Sequence, residues 1–142
     1  MEPVITLRPA QEKDWPWICA FCYSEGMDNL PSLENVTVAA DSDDDAVGFI
    51  RIAFSPEGVA HVNPVVVNPN WRGFGIGRIL TEGALATYGE LRLVARGGAV
   101  PFYRALGFEK VPWEDITMAV TEDCDHCDMR DECGPLPMRK VL

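Results

Sequence analysis

Three glycines stand at alternate positions in one short segment, at Gly73, Gly75 and Gly77. A valine run from Val65 to Val67 precedes them, and an apolar pattern with helical spacing starts at Ile76. Glycine allows positive φ and a close approach of the backbone to a ligand. The first N–H groups of a helix have no intrahelical acceptor and carry a partial positive charge. A strand, a glycine turn and a helix in this order therefore predict a phosphate-binding site.

Two common phosphate-binding motifs do not fit this turn. A P-loop requires Lys and then Ser or Thr after its last glycine, but Arg78 and Ile79 follow Gly77. A dinucleotide-binding fingerprint requires a further glycine at position 78 or 80, and these positions hold Arg78 and Leu80. Both motifs are excluded.

The turn instead resembles the acetyl-CoA motif of the GNAT superfamily of N-acetyltransferases, Arg/Gln-x-x-Gly-x-Gly/Ala. The run from Arg72 to Gly77 satisfies this pattern, and Val67-x-Pro69-x-Trp71 matches the family's approach to it. A second block, from Ala99 to Phe108, resembles the family's FYxxLGF helix, and Arg8-Pro9-Ala10 resembles its opening strand. The resemblance covers residues 4–111 and 137–142.

The resemblance implies an α/β fold with a mixed, splayed central sheet flanked by helices, in a single domain over residues 1–142. It also implies direct transfer of an acetyl group from acetyl-CoA to an amine while both substrates are bound. The backbone of the strand before the turn would then hold the oxyanion and pantetheine. Position 96, where many members carry Asn, is Arg96. The implied coenzyme contacts are Val65, Val66, Val67, Arg72, Gly73, Phe74, Gly75, Ile76, Gly77, Arg78 and Arg96.

The acid and base of this reaction are less sharply defined. Tyr103 matches the family's general acid, although a core aromatic residue is the alternative. Many members place a glutamate on the strand before the turn, whereas this strand offers only His61 and Asn63. His61 suits a base near neutral pH, although a lone histidine on a strand is more often simply hydrogen-bonded. Acids near the implied acceptor groove can bind a cationic substrate or stay solvated; they are Glu25, Asp28 and Glu34.

Five cysteines occur in the chain, and three of them lie in an acidic insert over residues 112–136. The spacing of Cys124, Cys127 and Cys133 is typical of metal ligands, and a tetrahedral zinc site needs a fourth. Cys22 or Cys19 on the first helix is the preferred fourth ligand, ahead of His126. Zinc is preferred over an iron–sulfur cluster as the bound metal. The alternatives to a metal site are a redox-labile disulfide and inert thiols.

Hydrophobic periodicity and turn residues predict the elements that position these groups. The first helix is capped by Asp14 and reaches Glu25, and a helix is preferred over a strand for residues 113–120. The order of elements predicts a mixed sheet with one parallel crossover. The predicted strands cover residues 4–7, 36–40, 47–54, 59–67, 91–95, 108–111 and 137–142, and the other predicted helices cover residues 76–88 and 99–106.

Composition limits the partners. The chain has 142 residues and a net charge of −10, which argues against a nucleic-acid partner and favours a cationic amine as acceptor. No long apolar run and no secretory leader are visible, so we expect no membrane partner and a cytoplasmic location. The rivals are a catalytically silent CoA-binding domain with a metal- or redox-sensing cysteine cluster and a partner-binding module. Homodimer formation is left open.

Overall fold

The computed structural model describes residues 4–116 and 134–142. It shows a mixed α/β fold with one open sheet, in the strand order β1-β2-β3-β4-β5-β7-β6. The strands are β1 (Thr6–Pro9), β2 (Val36–Ala40), β3 (Ala46–Phe54), β4 (Ala60–Val67), β5 (Glu90–Ala95), β6 (Glu109–Lys110) and β7 (Leu136–Val141), and the helices are α1 (Trp15–Ser24), α2 (Ile76–Tyr88) and α3 (Val100–Ala105).

The chain divides into two compact units. The first comprises Met1–Ile52 and Asn63–Ala84, and the second comprises Ala53–Val62 and Leu85–Leu142. Each unit therefore takes one part of β3 and one part of β4. The single domain predicted over residues 1–142 stays a prediction.

In the first unit, β1 and β3 both pair antiparallel with β2. The apolar side of α1 packs on this sheet through Ile18, Phe21 and Cys22, which share a core with Val38 and Phe49. Side chains three or four positions apart on α1 share one face of the helix, and side chains two positions apart on a strand share one face of the sheet, which explains why these residues can pack together.

The first strand begins later than its sequence pattern predicts. We expected residues 4–7, with Arg8 and Pro9 ending the strand, but β1 runs from Thr6 to Pro9. Arg8 pairs with Val38 and Pro9 with Thr37 of β2. Because β1 is an edge strand, Pro9 loses no ladder hydrogen bond on its open side and can be accommodated.

In the second unit, β5 runs parallel to β4, and their register pairs His61 with Arg92. The predicted parallel crossover is thus confirmed. The last strand, β7, lies antiparallel between β5 and β6. Near residue 113 the structure has a short 3-10 helix, Trp113–Asp115, while residues 117–133 lie outside the described part of the chain.

A close approach at Gly48 fixes how β3 meets β4 and α2. A Cβ at this position would lie 3.0 Å from the carbonyl oxygen of Val66 and 3.1 Å from Cγ2 of Ile76. Gly48→Ala is therefore expected to lower the free energy of unfolding by about 1–3 kcal/mol, measured by urea denaturation. Gly98→Ala is the matched control, since nothing lies within 4 Å of a Cβ there. Equal stability of the two variants would contradict the prediction.

Within residues 4–116 and 134–142, no helix has both the length and the apolar character needed to span a membrane.

Candidate functional site

The glycine turn has an open outer surface. Gly73 and Gly75 adopt φ values of +89° and +76°, and a Cβ added at either would meet nothing within 4 Å. Positive φ is strained for residues with a side chain, so glycine is favoured at both positions. A ligand can therefore reach the backbone of this turn directly.

Unused amide donors line this surface. One backbone hydrogen bond joins α2 to the residue just before it: the N–H of Ile79 donates to the carbonyl of Gly75 at 3.0 Å. Within the described residues, the N–H groups of Ile76, Gly77 and Arg78 have no backbone acceptor. Three adjacent free donors at the positive end of a 13-residue helix form an environment suited to a phosphate.

The segment before the turn is held by its own contacts. The N–H of Asn68 donates to the carbonyl of Val47 at 2.8 Å, and its side chain accepts from the N–H of Asn70 at 3.0 Å. The rings of Trp71 and Phe74 lie 5.4 Å apart. These contacts fix the end of β4, from which the turn starts.

Two arginines of the turn each have a carboxylate partner. Arg72 donates from Nη2 to Oε1 of Glu25 at 2.5 Å, across 47 positions of the sequence. Arg78 donates from Nε to Oε1 of Glu82 at 3.0 Å, one turn further along α2. The structure thus brings together Arg72, a predicted coenzyme contact, and Glu25, a predicted substrate contact. The sequence did not predict this pairing.

Among the described residues, no ion pair or hydrogen bond joins the other two predicted acceptor-side residues, Asp28 and Asn63, to that pair. Asp28 is exposed. Asn63 is half-buried, and its carbonyl accepts a bond from Nη1 of Arg51 at 3.0 Å. The peptide between Asn63 and Pro64 is cis. Val65 and Val67 are half-buried beyond it, whereas Val66 is buried.

In the second unit, Tyr103 lies on α3 with 7% of its surface exposed. Its ring is 5.0 Å from that of Phe102 and 5.4 Å from that of Phe108. Burial raises the pKa of Tyr103 to about 12, so the phenol keeps its proton at neutral pH. Arg96, exposed just before α3, accepts on its carbonyl a 2.7 Å bond from the N–H of Ala99.

His61 belongs to the second unit as well and is buried, with 1% exposure. Its Nδ1 lies 2.9 Å from the carbonyl oxygen of Val59. A carbonyl only accepts, so Nδ1 carries the proton and Nε2 the lone pair in the neutral ring. Burial lowers the pKa of His61, with the nearby charge of Arg92 acting in the same direction. The ring is therefore neutral at pH 7.

A charged group around Arg92 was not predicted from the sequence. Arg92 donates to the carbonyl of Asp115 at 2.6 Å and to Glu90 at 3.4 Å, and Arg139 also binds Glu90. Among the described residues, Nε of Arg92 is the buried side-chain atom that has no hydrogen-bond partner. Alternation along β5 places Arg92 opposite the buried leucines, but only the register of β7 shows which residues lie beside it.

An acetyltransferase domain of the GNAT type matches residues 33–110 of this chain by family comparison. The match includes the glycine turn and the FYxxLGF block, and it covers more than half of the sequence. This chain belongs to the GNAT family of acetyltransferases.

Relatives of this GNAT chain agree with the assignment. It is 28% identical over 130 residues to an uncharacterized N-acetyltransferase, CT2212, of Chlorobaculum tepidum, with 83% of this chain and 82% of that protein covered. Among solved structures, it resembles Rv2747 of Mycobacterium tuberculosis in complex with CoA and NLQ. The TM-score is 0.77 and the identity 19%, over 96% of this chain and 99% of that one.

A further structure similar to this GNAT chain is the N-acetylglutamate synthase of Neisseria gonorrhoeae, solved with coenzyme A and N-acetyl-glutamate. The TM-score is 0.77 at 14% identity, and all of this chain aligns with 36% of the synthase. At these identities the two solved structures establish the shared fold.

The predicted metal site of this GNAT protein is only partly described. Cys124, Cys127 and Cys133 lie outside the described residues. Cys22 is fully buried in the core of the first unit, and burial raises the pKa of its thiol. Among the described residues Cys22 packs as a small apolar side chain, and its role as a zinc ligand stays a prediction. Cys19, one helical turn earlier, is half-buried.

Proposed function

We propose that this GNAT protein transfers the acetyl group of acetyl-CoA to an amine by direct attack in a ternary complex. One observation carries the proposal. The turn from Gly73 to Gly75 is open, and three helix N–H groups beside it have no backbone acceptor among the described residues. The pyrophosphate of acetyl-CoA carries the negative charge that such a turn binds.

The residues of the chain supply the remaining chemistry in this proposal. The backbone of Val65 to Val67 holds the thioester oxygen, and the amine nitrogen attacks the carbonyl carbon. The C–S bond then breaks, and Tyr103 donates its proton to the departing sulfur. His61, neutral at pH 7, takes a proton from the acceptor ammonium, directly or through a water held with Asn63, so that the neutral amine makes the attack.

The acceptor is proposed to be a cationic amine, either a small molecule or an exposed amine of a protein. Glu25 and Asp28 would bind its positive charge. The rival, a CoA-binding domain without catalysis, draws support from the burial of His61 and from the lack of a glutamate on β4. The zinc site, a cytoplasmic location and a homodimer stay predictions.

Calorimetric titration of coenzyme A into the Gly75→Val variant tests the phosphate turn. A valine at this positive φ is strained, and its side chain blocks the open surface. We therefore expect the Kd for coenzyme A to rise about ten-fold or more, which corresponds to about 1.4 kcal/mol or more. Gly58→Val is the matched control, because Gly58 also has positive φ (+86°) and open space around its Cβ. Similar Kd values for the two variants would refute the phosphate site.

Turnover separates the enzyme from its rival. Release of free thiol from acetyl-CoA is measured across a panel of primary amines. We expect thiol release with at least one amine in the panel. Tight binding of coenzyme A without thiol release for any amine would favour the catalytically silent domain.

A further inference from the structure

The ion pair of Arg72 with Glu25 joins two groups that the proposed function uses separately. Their atoms Nη2 and Oε1 lie 2.5 Å apart. The side chains are 61% and 31% exposed, respectively, so both are accessible to ligands. Arg72 opens the phosphate turn, whereas Glu25 follows α1 as its C-cap residue.

Each partner has chemistry that favours a substrate charge. A guanidinium binds phosphate oxygens through several N–H donors, so a pyrophosphate can compete with the single bond that Arg72 donates to Glu25. The carboxylate of Glu25 lies at the negative end of the α1 dipole, where a nearby cation is stabilising. In the free protein, Arg72 is that cation.

We propose that the two substrates exchange this pair: the pyrophosphate of acetyl-CoA takes Arg72, and the freed carboxylate of Glu25 takes the ammonium of a cationic acceptor. This inference rests on the proposed function and adds a coupling between its two substrates. Binding of either substrate breaks the pair and releases the group that the other one needs. The coupling is reciprocal, as linkage requires.

The neighbouring pair of Arg78 and Glu82 cannot provide such a link. Its partners are four residues apart on the same helix, with side chains 66% and 51% exposed. Breaking it would release a carboxylate on α2 and would leave α1 unaffected. Among the ion pairs of residues 4–116 and 134–142, the pair of Arg72 and Glu25 is the one that joins the phosphate turn to the segment that begins at the end of α1.

A double-mutant cycle on coenzyme A binding tests the exchange. Exposed ion pairs contribute little, so Glu25→Gln is expected to tighten coenzyme A binding by about two- to five-fold at low salt. Arg72→Met is expected to weaken it. In the Arg72→Met background, Glu25→Gln is expected to change nothing, because the competition for Arg72 has been removed. Isothermal titration calorimetry of the full chain gives all four Kd values.

Asp43→Asn is the charge-matched control, because it removes one exposed carboxylate from the turn between β2 and β3 of the same unit. It is expected to leave the Kd for coenzyme A unchanged. If Glu25→Gln still tightened coenzyme A binding in the Arg72→Met background, the effect would come from the loss of a negative charge in general. That result would overturn the inference. If Glu25→Gln left the Kd for coenzyme A unchanged or raised it, the inference would also be overturned. Coenzyme A binding by the wild type would still leave the proposed function standing in that case.

The acceptor half is tested with 1,4-diaminobutane and butylamine, which differ in one terminal ammonium. Thiol release by the wild type is expected to favour the diamine in kcat/KM, and Glu25→Gln is expected to reduce that preference several-fold. An identical preference in both proteins would overturn this half. Absence of thiol release with every amine would count against the proposed function itself.

Discussion

Replacing Tyr103 by phenylalanine is expected to lower kcat by about 10²–10⁴-fold, the usual contribution of a general acid. The departing thiolate of coenzyme A would then leave without a proton donor. Phenylalanine preserves the ring contacts to Phe102 and Phe108. The Tyr103 hydroxyl makes no hydrogen bond to the described residues, so its removal should leave the melting temperature nearly unchanged. Steady-state thiol release gives kcat, and a thermal melt checks the fold.

Tyr88→Phe provides the matched control for that substitution. Tyr88 ends α2 and is 40% exposed, with its ring 5.5 Å from that of Phe54. Loss of its hydroxyl is expected to leave kcat unchanged. If Tyr103→Phe retained full kcat, Tyr103 would be a core aromatic residue and the proton would come from elsewhere.

The pH profile separates the acid from the base. Burial raises the pKa of Tyr103 to about 12, from about 10 for a free tyrosine. The phenol of Tyr103 therefore stays protonated at every assay pH below about 10. The lowered pKa of His61 places its protonation below about pH 6.5, where kcat/KM should fall as the base is lost. His61→Gln should lower activity and remove that acidic limb. A limb that persists in this variant would exclude His61 as the base.

Local pattern predicts most of the fold. The apolar spacing over residues 76–88 predicts α2, and the structure has Ile76–Tyr88. The prediction of β2 over residues 36–40 is likewise confirmed. The position of β7 between β5 and β6 could not be predicted, because strand order depends on pairings between distant segments.

The same distinction applies to side chains. Asp14 is the N-cap residue of α1, as its type and position predict, yet its side chain makes no capping bond. It binds Arg8 of β1 instead. Arg72 and Glu25 illustrate the point at the site, since each was predicted to bind a ligand and their contact spans 47 positions. Sequence spacing identifies groups that can bind, whereas tertiary packing decides which partner they have.

The pairing of Asp14 with Arg8 leads to the second large effect, on stability. Arg8 donates to both carboxylate oxygens of Asp14, at 2.7 and 2.9 Å, and the N–H of Gln11 adds a third bond at 2.8 Å. The side chain of Asp14 is 1% exposed and that of Arg8 is 13% exposed. The group joins β1 to the start of α1 with little access to water.

Asp14→Asn is expected to lower the free energy of unfolding by about 3–5 kcal/mol, because it leaves the charge of Arg8 buried without its main partner. That is a large part of the total for a domain, about 5–15 kcal/mol. Urea denaturation at pH 7 measures the change. Asp44→Asn is the control: Asp44 also binds Arg8, at 2.8 Å, but its side chain is 53% exposed, and we expect a much smaller loss.

The pH dependence provides a second readout. Burial alone would raise the pKa of Asp14, but the bonds from Arg8 and Gln11 outweigh it and the pKa is lowered. A carboxyl group whose pKa is lower in the folded state stabilises above its unfolded value of about 4, and this stabilisation is lost as the pH falls through the folded value. Unfolding free energy should therefore decline below about pH 4 more steeply in the wild type than in Asp14→Asn. Parallel curves of unfolding free energy against pH for the two proteins would show that the ionisation of Asp14 is not coupled to folding. The buried pair would then not be the source of the stability.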